Sequence, residues 1–98
     1  MPINLTAMIK TIIVDDEFVS RNVLKKLLDL NCPDIEVICE CTNADDAKKE
    51  IQQLQPQLVF LDISMPGKSG LDMLKEIPDI NFEIIFVTAF HEYTIQAI

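Results

Sequence analysis

Acidic residues stand at two abrupt transitions in this chain. The apolar segment Ile9 to Val14 runs into Asp15-Asp16-Glu17, and Leu58-Val59-Phe60-Leu61 runs into Asp62, with Pro66 and Gly67 close behind. From its position alone, Asp62 has three roles open to it: metal ligand, nucleophile, or cap for the next helix. Adjacent carboxylates repel one another and raise at least one pKa unless a cation neutralises them. Mg²⁺ takes oxygen ligands, usually one or two carboxylates plus a phosphate and waters. A carboxylate left over can then act as a nucleophile toward a phosphoryl group. The equatorial oxygens of that group need the metal and hydroxyl or ammonium donors around them. Thr88, at the end of the apolar segment Glu83 to Thr88, offers a hydroxyl.

For these residues to meet, strands must deliver them to one edge. Ile9 to Val14 is β-branched and apolar, a strand pattern. Leu58 to Leu61 shows no alternation and reads as a strand buried on both faces, and Glu83 to Thr88 reads the same way. Ile35 to Cys41 alternates, with Ile35, Val37, Cys39 and Cys41 on one face, and its acids suggest an edge strand. Between the strands lie helix patterns. Phe18 to Leu30 carries a stripe of Val19, Val23, Leu24, Leu27 and Leu28, helped by Asp16 or Glu17 at its start and stopped by Asn31 and Pro33. Residues 44–55, capped by Thr42 or Asn43, carry Ala47, Ile51 and Leu54, with an Asp45–Lys49 pair on the surface. Ser69-Gly70-Leu71-Asp72 matches a capping box, so Ser69 rather than Asp62 is the natural cap there. The helix it opens turns Leu71, Leu74 and Ile77 inward and ends at Pro78. Phe90 to Tyr93 reads as a loop and Tyr93 to Ile98 as the start of a helix.

The order is β-α-β-α-β-α-β-α, which demands parallel pairing with right-handed crossovers. Met1 to Met8 precede the pattern as an extension, and residues 9–98 form one domain. The formal net charge of −8 disfavours direct contact with nucleic acid or an anionic membrane, and no stretch has the length and apolarity of a membrane span or signal peptide. The partners implied are cations and basic protein surfaces. Cys32, Cys39 and Cys41 are an odd set with no CxxC. Cys39 and Cys41 share a face but are badly placed to bridge, so all read as small buried hydrophobes in a reducing, cytoplasmic compartment. No other ligand cluster accompanies them, which counts against a metal–thiolate site. Lys68 reads as a solvated loop charge, His91 as a solvent-exposed residue, and Met65 and Met73 as fillers.

Taken together, IIVDDE, LVFLDISMPGKSG and IIFVTA resemble the receiver domain of bacterial two-component response regulators, over about Ile9 to Ile98. The resemblance implies an α/β, flavodoxin-like doubly wound parallel sheet of order 2-1-3-4. It implies that Asp62 is the phospho-acceptor and that Asp15, Asp16, Asp62 and the backbone carbonyl of Ser64 hold Mg²⁺, with Asp16 the more direct ligand. Thr88 and Ala89 match the switch positions, and Pro66 and Gly70 the loop that shapes the pocket. The partners implied are a sensor histidine kinase and an output domain. MPGKSG and VTAFHEYTIQAI look most like receivers joined to LytTR-type DNA-binding domains.

Residues matching the family's fifth strand, with its lysine, and fifth helix do not occur before Ile98, so the resemblance implies a receiver incomplete at its C-terminus. That predicts weak phosphorylation, an uncovered fourth strand, and a homodimer or element-swapped oligomer through that strand and the first helix. Two rival functions are a degenerate receiver acting as a protein-interaction module and an Mg²⁺-dependent aspartyl phosphatase. The phosphatase usually needs an acid two residues after its nucleophile, where this chain has Ser64.

Overall fold

Runs of aliphatic residues become strands in the computed structural model, which describes residues 8–87. The elements are β1 (Ile9–Val14), α1 (Phe18–Asn31), β2 (Ile35–Cys41), α2 (Ala44–Leu54), β3 (Leu58–Asp62), α3 (Gly70–Lys75) and β4 (Glu83–Val87). All pairings are parallel, in the order β2-β1-β3-β4. Parallel neighbours cannot be joined by tight turns, so each connection crosses over through a helix. The chain steps outward from β1 to β2, then returns past β1 to β3. The order therefore reverses between β1 and β3, where an open α/β sheet forms its ligand crevice.

The two faces of the sheet hold separate cores. On one, Ile12, Val14, Val59 and Leu61 pack with Ala47 and Ile51 of α2 and with Met73 and Ile77. On the other, Ile13, Leu58 and Phe60 pack with Leu24 and Leu28 of α1. β1 and β3 contribute to both, which is why they read as continuous apolar runs. The caps sit where the sequence puts them. Asn43 accepts from the Asp46 N–H at 2.8 Å, and Ser69 accepts from the Asp72 N–H at 3.1 Å. Gln55 closes α2 in the left-handed region at φ 50°.

Several side chains depart from expectation. Along α1, Val19, Val23 and Leu27 are exposed together with Phe18 and Leu30, while Leu24 and Leu28 face the sheet. One helix laid on a flat sheet buries a narrow i,i+4 stripe, and the wider stripe needs a second partner. Leu54 and Leu71 are also exposed, and Met73 and Ile77 fill the positions beneath α3. In β2 the register slips: Val37 pairs with Thr11 and Cys39 with Ile12, so Ile38 is bulged out. The bulge reverses the alternation. Ile35 and Val37 join the α1 side, whereas Cys39 and Cys41 join the α2 side. Among the described residues β4 lies at the sheet edge with Ile85 and Phe86 exposed, as the expected uncovered fourth strand and not as the strand buried on both faces that its apolar run suggests.

The surface charges also differ from expectation. Asp45 pairs with Lys68 at 2.9 Å, not with Lys49, and Lys68 also reaches Glu76 at 2.8 Å. Lys68 is thus a clasp between its loop, α2 and the end of α3. Thr88, Ala89, the Phe90–Tyr93 loop with His91, the helix expected over 93–98 and the extension before Met8 lie outside the described residues.

Candidate functional site

Parallel strands finish on one edge of the sheet, and the adjacent pair β1 and β3 finish level, with Val14 beside Leu61. The next residue on each is an aspartate. Asp15 and Asp62 are buried, 8% and 6% exposed. Asp16 joins them from the start of the β1–α1 turn, and the three carboxylates offer oxygens that all lie within 4.8 Å of one another. This convergence is the one the sequence predicts for these residues.

The local backbone holds both buried acids with the same device. Asp15 Oδ1 accepts the Glu17 N–H at 2.9 Å, and Asp62 Oδ1 accepts the Ser64 N–H at 3.0 Å. Each is an Asx-type turn, in which the side chain caps the backbone two residues on. The loop after Asp62 then folds tightly back. Gly67 takes φ +79°, and a Cβ on Gly70 would stand 2.6 Å from the Asp62 carbonyl oxygen and 2.8 Å from Leu61 Cγ. No side chain fits there, so the glycine lets the start of α3 close against the end of β3. Pro66 is exposed in the same loop. Thr88 and Ala89 cannot be placed, since they lie outside the described residues.

Sequence reasoning missed Arg21. Its Nη1 donates to the Asp15 carbonyl oxygen at 2.9 Å and its Nε to Glu40 at 3.0 Å, with Lys25 on the other Glu40 oxygen at 2.7 Å. The guanidinium also lies 5.7 Å from the Phe18 ring centroid. Arg21 thus ties the β1–α1 turn to α1 and β2. A signal was present in its place one helical turn after Glu17, but the second partner, Glu40, depends on tertiary structure.

The electrostatics follow from burial. Loss of solvent pushes the Asp62 carboxyl up to about 6, with Asp15 and Asp16 adding repulsion and the Ser64 N–H opposing the shift. Asp15 is raised for the same first reason, with Asp16 and Glu17 adding to it and the Glu17 N–H opposing. Among the described residues no Lys, Arg or His forms an ion pair with any of the three carboxylates. Hard oxygen donors, close-set and short of positive charge, fit a small divalent cation. At Mg–O distances of about 2.0–2.1 Å, octahedral ligands lie about 3–4 Å apart, a small closing motion from what is seen.

Comparison with known proteins agrees with this geometry. The family described as "Response regulator receiver domain" matches residues 11–98. The chain is 46% identical over 91 residues to the transcriptional regulatory protein BtsR of Salmonella typhimurium, covering 92% of this chain and 38% of that protein. It therefore spans well under half the length of such relatives. The response regulator domain of Thermotoga maritima CheB superposes with a TM-score of 0.76 at 30% identity, covering 92% of this chain and 70% of that one. A DNA-binding response regulator of the LuxR family from Staphylococcus aureus gives 0.75 at 35% identity, covering 92% and 78%. With the 2-1-3-4 sheet, the acidic cluster at its switch point and a family match across nearly all its residues, the chain belongs to the response regulator receiver domain family.

Proposed function

We propose that this domain is a phosphorylation-dependent signal receiver in which Asp62 takes a phosphoryl group from a sensor histidine kinase. The observation that carries this reading is the buried Asp62 set against Asp15 and Asp16, with no cationic side chain among the described residues paired to any of them. The Ser64 N–H occupies Oδ1 of Asp62, so Oδ2 is the attacking oxygen. A P–O bond forms to it as the P–N bond of the kinase phosphohistidine breaks, and the histidine nitrogen leaves with the electron pair and takes a proton. Asp15, Asp16, Asp62 and the Ser64 carbonyl would hold Mg²⁺, which would supply charge neutralisation for the phosphoryl oxygens. Arg21 keeps the Asp15 turn in place through its carbonyl. Gly70 and Pro66 shape the loop beside the acceptor, and Thr88 with Ala89 forms the switch that responds to the new charge.

The domain acts as a phospho-acceptor rather than a phosphatase: the residue two after Asp62, where an aspartyl phosphatase usually carries its acid/base partner, is Ser64. No helix among the described residues is long and apolar enough to cross a membrane, in keeping with a cytoplasmic partner of a sensor kinase. The relative BtsR is named a transcriptional regulatory protein, which supports an output domain acting in transcription alongside this receiver; the LytTR type rests on the resemblance of MPGKSG and VTAFHEYTIQAI.

Incubation with a small phosphodonor such as acetyl phosphate and Mg²⁺, followed by intact mass measurement, tests the reading. One phosphoryl group is expected on the wild type, and none on Asp62→Asn or when the cation is chelated. Absence of modification with intact Mg²⁺ binding overturns the acceptor assignment. Absence of both leaves a module that works through protein contacts alone.

A further inference from the structure

We infer that Glu40 and Arg21 are a positioning pair for the Asp15–Asp16–Asp62 site, a role that rests on reading that site as a cation-dependent phospho-acceptor pocket. Glu40 holds the Arg21 guanidinium on the Asp15 carbonyl and off the three carboxylates, which leaves those carboxylates to a divalent cation. The device begins in β2. Unbroken alternation would put Glu40 on the face opposite Ile35 and Val37, toward α2. The bulge at Ile38 reverses the order, so Glu40 pairs with Ile13 and meets Arg21 and Lys25 of α1. Bulges beside functional sites re-aim side chains in this way.

Arg21 stands one turn into α1, its own N–H donating to the Glu17 carbonyl at 3.1 Å, and its side chain is 12% exposed. Two of its donors are committed, Nε to Glu40 at 3.0 Å and Nη1 to the Asp15 carbonyl oxygen at 2.9 Å. A planar guanidinium fixes the angle between those donors, so anchoring one on Glu40 aims the other. Lys25 takes the second Glu40 oxygen at 2.7 Å. That bond, with the one from Arg21, holds the Glu40 carboxyl below the usual carboxylate range, so the anchor stays ionised. At the receiving end, the Asp15 N–H donates to the Cys41 carbonyl at 3.0 Å. The backbone of Asp15 is thus fixed from both sides, by β2 through Cys41 and by α1 through Arg21. Released from Glu40, the guanidinium has the Asp15 and Asp16 carboxylates on the same turn as its next partners, where it would compete with a divalent ion.

Titration calorimetry of the full chain with Mg²⁺ reads the effect. Arg21→Gln should weaken Mg²⁺ binding by about tenfold, the size typical of residues that orient metal ligands. The sign is diagnostic, because loss of a nearby positive charge by itself strengthens cation binding. Glu40→Gln should weaken binding too, and should add nothing in a chain that already carries Arg21→Gln, since Glu40 acts through Arg21. A charge effect alone would add in both backgrounds. Arg21→Lys keeps the charge and most of the stem but not the fork, and should not restore wild-type affinity. Because Arg21→Gln can also loosen the fold, a second measurement uses the metal-free chain. Amide exchange at Asp16 and Glu17 should speed up in Arg21→Gln relative to the amides of β3. Mg²⁺ affinity in Arg21→Gln equal to or above the wild type overturns the proposal, as does a full Glu40→Gln effect without Arg21 or unchanged exchange at the turn. A wild type that binds no Mg²⁺ overturns the reading of the pocket and the proposal with it.

Discussion

Asp62 is held in the folded protein in a form that resists ionisation, and that has a measurable consequence. Its carboxyl titrates near 6 in place of 3.8, chiefly through burial. Between those values the folded state binds more protons than the unfolded one, so stability falls as pH rises. The contribution is fully present below the unfolded value and is lost as pH passes through the folded one. The two-unit gap sets an upper bound of about 3 kcal/mol. Urea unfolding without divalent cations should show the wild type losing stability between about pH 4 and about pH 7. Asp62→Asn, which keeps the shape and removes the charge, should flatten that slope and be the more stable protein at neutral pH. An unchanged slope would mean that solvent reaches the carboxylate freely. Mg²⁺ acts on the same repulsion from the other side. At a hundredfold excess over its dissociation constant it should stabilise the wild type by about 2.7 kcal/mol, and Asp16→Ala should lose most of that gain. A second residue-scale prediction concerns Gly70. An alanine there puts a methyl group against the Asp62 carbonyl and Leu61, so Gly70→Ala should cost about 1–3 kcal/mol and weaken Mg²⁺ binding by moving the acceptor loop. Thermal melts with and without Mg²⁺ separate those two effects.

At the scale of elements, the parts that could be read from the sequence are those that local chemistry decides. Asn43 and Ser69 cap α2 and α3 because their side chains reach the third N–H along, a relation contained in four consecutive residues. Asn43→Ala should therefore cost about 1 kcal/mol, seen as a lower urea midpoint with an unchanged slope. The acidic cluster was legible in two steps: βαβ alternation forces parallel strands whose ends share an edge, and the adjacency of β1 and β3 came from the family resemblance. The bulge in β2 was not. Ile35 to Cys41 has apolar residues on both faces, so either register buries a comparable set and the choice falls to packing against β1. The Lys68 clasp was hidden for a different reason. Asp45 lies 23 residues earlier in the chain, and a local partner four residues away is worth only about 0.2–0.5 kcal/mol. Lys68→Ala tests whether the clasp matters to the loop it closes. Its partners are at the surface, so about 0–1 kcal/mol of stability is at stake, and amide exchange across residues 63–69 is the more sensitive readout, expected to speed up.

Across the whole molecule, the sheet is covered unevenly. α2 and α3 share one face, while α1 holds the other among the described elements. The outer side of α1 presents Phe18 at 65%, Val19 at 71% and Leu30 at 80% exposure, with Val23 and Leu27 between them. At the far edge of the described sheet, β4 adds exposed Ile85 and Phe86. Burying a Val, Leu or Phe side chain in full contributes about 1.5–3 kcal/mol. A two-fold contact between α1 helices would bury such groups from both copies. Set against an association cost of at least about 4 kcal/mol, the surplus reaches the roughly 8 kcal/mol of a micromolar dissociation constant. The net charge of −8 opposes the contact and makes it salt-dependent, since screening weakens repulsion between exposed charges. Light scattering should therefore show an average mass that rises from monomer toward dimer across the micromolar range, and further at higher salt. Val19→Glu and Leu27→Glu lie on the exposed side, away from Leu24 and Leu28, and should hold the protein monomeric without lowering its melting temperature. A monomer at every concentration and salt would show that this face does not recognise itself. Dimers that survive both substitutions would place the contact on the β4 edge instead, where Phe86→Lys is the corresponding test.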